Sequence, residues 1–284
     1  MRWWCGAFLV TQLFVAQAAR PRVYHYSFWS DNPRPYLTAI QRSGSAAHSG
    51  LAPGQTVRAG ILTHHFLASA MMVRFFCQLQ NQASPNTIIL IGPNHFHHGR
   101  GDISISSLPW KTPFGILETD KGVIRSIKNA TKLTEDAEAF TGEHSVGVLI
   151  PFLKYYFPHS RVVPILIDVN ADRNQLEKLR TLLRDFLSNP GDLALLSMDF
   201  SHNSIAAVAD SRDKQAERAL STLDVERVGQ LHVDCHKGLW LLLSSLRGVG
   251  HVTTKIDEHT NSSRLTGNPN QPDVTSYFTV RFIL

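Results

Sequence analysis

The chain has 284 residues, 43% of them hydrophobic and 18% charged, a balance that excludes a disordered chain and a membrane-embedded bundle. Its formal charge of +5 is scattered, with no Lys/Arg-rich block of the kind that tracks phosphates, so nucleic acid is not an expected partner. Length alone fits either one large α/β domain or two small ones.

Residues 1–18 carry Arg2, then an apolar stretch interrupted by Thr11 and Gln12, then Ala16-Gln17-Ala18 in the small-x-small pattern of a cleavage site. They read as a signal peptide. Its apolar part is shorter than the roughly 20 residues a spanning helix needs, so no stable membrane span is expected after cleavage. The expected location is therefore exported, periplasmic or extracellular, if the signal is cut, and cytoplasmic otherwise. Cleavage after Ala18 would leave two cysteines, Cys77 and Cys235. Residues 19–55, with many Pro, Ser and Gly, read as a loosely structured lead-in containing "RVYHYSF" as a short edge strand.

From residue 56 to residue 284 strand and helix patterns alternate. "VRAGILTHH" predicts a strand, "FLASAMMVRFFCQLQN" a helix, "NTIILIG" a strand and "DISISS" a short strand alternating in period two. "SVGVLIPFLKYYF" predicts a helix, "RVVPILIDV" a strand, and "DRNQLEKLRTLLRDFLS" a helix capped by Asp172. "DLALLSMDF" predicts a buried strand, helices follow at about 211–232 and 236–246, and "HVTTKID" and "TSYFTVRFIL" close the chain as strands. This order predicts an α/β fold: a largely parallel central sheet with helices on both faces. Ligands in such sheets bind beyond the carboxyl ends of the strands.

The unusual polar residues gather at those ends. The first strand runs into Thr63-His64-His65, the second into Asn94-His95, and "LALLSM" into Asp199-Phe200-Ser201-His202. Glu143 and His144 precede a predicted helix, and Cys235 with His236 opens another. A single histidine at a strand end is usually a hydrogen-bonded loop residue, but several converging on one edge point to metal ligation, since neutral imidazole is the commonest protein metal ligand. His97 and His98, past the strand end, read as exposed loop residues.

The series "GPNH", "GEHS...IP", "SMDFSH" and "VDCHKG" resembles the Memo family, known in microbes as AmmeMemoRadiSam system protein B, across roughly residues 30–284. That resemblance implies the LigB-like fold of class III extradiol dioxygenases. It also implies a metal triad of His64, His95 and Cys235, with Glu143, His144, Asp199 and His202 lining the same pocket as catalytic candidates. A thiolate at Cys235, where the dioxygenases have a carboxylate, shifts preference from hard oxygen-loving ions toward copper(I), zinc or thiolate-tolerant iron, and the expected cofactor is a single metal ion, iron or copper ahead of zinc. The sequence departs from the family pattern in Thr63 for proline, in His65 and Phe66 for small residues, in Gly147 for a glutamate of some members, and in His236-Lys237-Gly238 after the cysteine.

Three functions stay open at this point. One is redox or oxygen chemistry at the metal, with His202 moving protons and Asp199 orienting it. Another is zinc-assisted hydrolysis with Glu143 as base. The third is a non-enzymatic metal-binding or scaffold role. The expected partner is a small molecule or a peptide.

Overall fold

Apolar runs bounded by turn residues supply the strands of this protein, and the computed structural model describes residues 23–43, 51–52, 54–80 and 84–284. The expected signal at residues 1–18 lies outside the described residues. In chain order the elements are β1 (His25–Tyr26), α1 (Arg34–Arg42), β2 (Val57–Leu62), α2 (Ser69–Gln80), β3 (Thr87–Pro93), β4 (Ile103–Ile105), β5 (Trp110–Thr112), β6 (Gly115–Leu117), α3 (Lys121–Thr131), α4 (His144–Gly147) and α5 (Ile150–Tyr156). There follow β7 (Arg161–Ile167), α6 (Arg173–Leu187), β8 (Asp192–Ser197), α7 (Ala206–Thr222), α8 (His236–Leu246), β9 (Thr253–Asn261), α9 (Ser262–Thr266) and β10 (Ser276–Ile283).

The central sheet has seven strands in the order β4-β7-β3-β8-β2-β10-β9. The four in the middle, β7, β3, β8 and β2, are parallel, while β4 on one edge and β10 on the other run against them and β9 pairs antiparallel with β10. The sheet is thus parallel only at its centre, where both faces are covered. Strand alternation divides the core: Ile89 and Ile91 of β3 enter one apolar layer with Leu179 and Leu183 of α6 and Leu242 of α8. Ile88 and Leu90 enter the opposite layer with Met72 and Phe76 of α2 and Phe152 of α5. Helices on both faces explain why β3 reads as an apolar run rather than an alternating one, and why every residue of β2, Arg58 included, is buried.

Three sequence expectations change. The lead-in is ordered from Val23 to Ser43: α1 forms there, and Tyr36 is fully buried with its ring edge-on to Trp29, Phe66 and Phe152. The edge strand shrinks to β1, which pairs with β5 in a separate three-stranded sheet β1-β5-β6. The helix read from "SVGVLIPFLKYYF" splits into α4 and α5, because Pro151 has no N–H to continue the ladder and fits only in a first turn. Asp172 does cap α6, accepting from the backbone N–H groups of Asn174 and Gln175. No helix among the described residues is long and apolar enough to cross a membrane.

Candidate metal centre

Because β3, β8 and β2 are neighbours in parallel register, the residues leaving their carboxyl ends meet on one edge. β2 runs into Thr63 and His64, β3 into Asn94 and His95, and β8 into Met198 and Asp199. Glu143 and His144 arrive at the start of α4, and Asp234 in the turn before α8. The rings of His64 and His95 have centroids 5.0 Å apart, and His144 stacks on His95 at 4.3 Å. Two sets of donor atoms lie within 4.8 Å of one another: His64, His95 and His144, and His64, Asp199 and Asp234.

Hydrogen bonds behind the two central histidines fix which nitrogen faces inward. Glu143 is a carboxylate that accepts from His95 Nδ1 at 2.9 Å, from the His95 backbone N–H at 2.8 Å and from the Ser145 backbone N–H at 2.8 Å. The proton of neutral His95 therefore sits on Nδ1. Ser197 donates its hydroxyl proton to the Ser145 carbonyl, so it accepts from His64 Nδ1 at 3.1 Å. Both imidazoles, when neutral, thus turn an Nε2 lone pair inward. Facing them is Asp234 Oδ2, 3.3 Å from His64 Nε2 and 3.6 Å from His95 Nε2, buried and without a hydrogen-bond partner. Two lone pairs and an orphaned carboxylate oxygen at one point repel each other unless a cation or a proton lies between them.

Charge at the site follows from burial and these neighbours. Burial holds His64 well below its usual range, helped by the nearby His95 and His144, so it is neutral at pH 7. Burial also acts against His95, but the carboxylates of Asp234 and Glu143 outweigh it and hold His95 up at about 9. Burial raises Glu143, yet the His95 and Ser145 donors win and bring it down to about 2. Asp234 is pushed up to about 7 by burial and by the adjacent Asp199, whose own carboxyl burial also raises. Without a metal, one proton on His95 relieves the clash at neutral pH.

A family model for Memo-like protein matches residues 27–280. The chain belongs to the Memo family. Similar curated relatives are described as MEMO1 family proteins. One from Caldivirga maquilingensis is 30% identical over 154 residues, 53% of this chain and 54% of that protein, so this stretch spans about half the relative's length. One from Methanosarcina barkeri is 29% identical over 65% of this chain and 72% of its own. One from Pyrobaculum aerophilum is 24% identical over 82% and 83%. Among solved structures, an uncharacterised protein of Escherichia coli K12 superposes with a TM-score of 0.55 at 13% identity, covering 79% of this chain and 99% of that one, which bears on the fold alone.

In this Memo-family chain the edge gathers His64, His95, Glu143, His144, Asp199 and His202. His202 Nε2 lies 4.0 Å from Asp199 Oδ2 with its ring partly open to solvent. Thr63, where the family pattern has proline, donates its hydroxyl to Asp199 Oδ1, and His65 pairs with the Tyr277 hydroxyl at the rim. His97 is on the exposed loop, against Asp168. Cys235 is placed differently from its expected partners. It occupies the N-cap position of α8 without a side-chain capping bond, and its Sγ lies 2.6 Å from where a Cβ on Gly238 would be, a point also close to Leu196 and Ile91. It is 3% exposed, within the apolar layer, and belongs to neither donor set. Burial, reinforced by Asp234, pushes the thiol up toward its protonated form. Asp234 faces the histidines, while Cys235 packs among the apolar residues of the core layer. Asp234, which the structure brings to the two histidines, is not among the residues singled out from the sequence; the available signal was an acidic residue beside the motif cysteine. Both Cys77 and Cys235 are free thiols.

Proposed function

We propose that this Memo-family chain binds one transition-metal ion, iron or copper, through His64 Nε2, His95 Nε2 and Asp234, and uses it in redox or oxygen chemistry on a small molecule or peptide. The observation that supports this most is the orphaned Asp234 Oδ2 facing two inward Nε2 atoms. Two histidines and one carboxylate are the donor set suited to non-haem iron with positions left open. If Cys235 served instead, the softer thiolate would shift preference toward copper(I).

A bound redox-active ion would supply electron transfer or oxygen activation at the strand ends. The chain's own residues do the rest. Glu143, held by three N–H donors, orients His95 and is too committed to act as a free base, which weighs against zinc-assisted hydrolysis through it. His144, stacked on His95, narrows the pocket on one side. Burial lowers the pKa of His202, so it is neutral at pH 7 and able to take a proton from a ligand, while Asp199 stabilises the imidazolium so formed.

Elemental analysis and electron paramagnetic resonance of full-length protein purified without chelators test the reading. About one iron or copper per chain is expected. Zinc alone, or no metal after reconstitution with Fe(II) and Cu(I), would overturn it.

A further inference from the structure

Away from the strand-end site, a cavity of about 390 Å³ opens between α3, α6 and the sheet. Protein cores are packed so densely that voids larger than a water molecule are few. The space falls in the size range of about 300–1,000 Å³ of small-molecule sites. Its floor is made by Ile89, Ile91 and Ile165 of the sheet, and its wall by Leu179 and Leu183 of α6 and Leu241 of α8. All six are at most 3% exposed, so the apolar surface that a guest would first meet is that of Val123, Leu182 and Phe186, which are partly buried and pack against this core layer.

The void has a sequence cause. The positions of α3 that border it include Gly122 and Ser126, one helical turn apart and both exposed. Neither carries bulk. A Cβ built on Gly122 would meet only Asp120 Oδ1, at 3.2 Å, and otherwise open space. Larger side chains at these two positions would extend over the opening.

The polar groups at the mouth are already occupied. Asp120 accepts from Thr87 Oγ1 at 2.7 Å and from the Gly122 and Val123 backbone N–H groups, and Arg161 lies 3.2 Å away. Ser126 donates to the Gly122 carbonyl at 3.2 Å. No lining residue has a buried side-chain polar atom left without a partner. A charged or polar guest would lose its hydration without gaining hydrogen bonds, and an anion would also meet the Asp120 carboxylate. We infer that this cavity is a binding site for a neutral, apolar small molecule on the scale of a two- or three-ring aromatic or a medium-length hydrocarbon chain, separate from the metal centre.

Titration of the full chain with the neutral fluorophore N-phenylnaphthylamine tests this, alongside its anionic analogue anilinonaphthalene sulfonate. One saturable site per chain is expected, with the sulfonate at least about tenfold weaker. Ser126→Phe and Gly122→Leu, both at exposed positions, should each weaken the neutral probe at least about tenfold while the thermal midpoint is unchanged or raised. If one variant fails to give a cooperative melt, the other decides. Unchanged probe affinity in a folded filled variant, equal affinity for the sulfonate, or no saturable binding to wild type overturns the assignment.

Discussion

Lowering the pH should detach the metal, and the size of the effect can be worked from His95. Ligation requires neutral imidazole with Nε2 free, whereas without metal the Glu143 and Asp234 carboxylates hold His95 at about 9. At pH 7 only about 1% of His95 is then neutral, so apparent affinity should lie about 100-fold below its plateau, or about 2.7 kcal/mol. Affinity should fall about tenfold per pH unit below about 9, and more steeply below about 7, where Asp234 also takes a proton. The sign is the same for both ligands: binding releases protons, so affinity rises with pH. Calorimetric titration in buffers of different ionisation heat should show about one proton released per ion at pH 8, approaching two at pH 6. Glu143→Gln removes one of the two charges supporting His95, so the pH at which affinity levels off should drop by about one to three units. A metal affinity that is flat from pH 6 to 9, with no proton release, would refute this reasoning.

Ser197→Ala should cost about 1–3 kcal/mol in denaturant unfolding by leaving the buried His64 Nδ1–H without its acceptor, and should weaken metal binding about 10–100-fold. Gly238→Ala places a Cβ 2.6 Å from Cys235 Sγ and 2.9 Å from Leu196, so a loss of about 1–3 kcal/mol is expected; a fully stable variant would contradict the observed packing. Asp172→Ala removes the cap of α6 at a cost of about 1 kcal/mol, measured as a lowered thermal midpoint with metal binding unchanged.

Most of the fold was legible because apolar runs such as "NTIILIG" and "LALLSM" are too short for helices and end in turn residues, and because Asp172 and the apolar stripe after it mark α6 at the sequence level. The histidines at the strand ends followed from the same reading. What escaped it depends on tertiary contacts. α1 looked like linker, since its apolar residues Tyr36 and Ala39 matter only once they meet α2 and α5. β5 and β6 are three residues each and, among the described residues, form a sheet only with one another and with β1. The choice between Asp234 and Cys235 turns on which side chain the loop aims inward, and two adjacent letters do not encode that direction.

The most direct measurement of the central claim is metal affinity in Asp234→Asn and Cys235→Ser, each checked for a native thermal melt. If His64, His95 and Asp234 hold the ion, Asp234→Asn should lose at least about 100-fold in affinity, beyond the about 10–100-fold typical of removing a supporting partner, while Cys235→Ser keeps wild-type occupancy. Loss of metal in Cys235→Ser with full retention in Asp234→Asn would contradict the account and return the thiol to the triad.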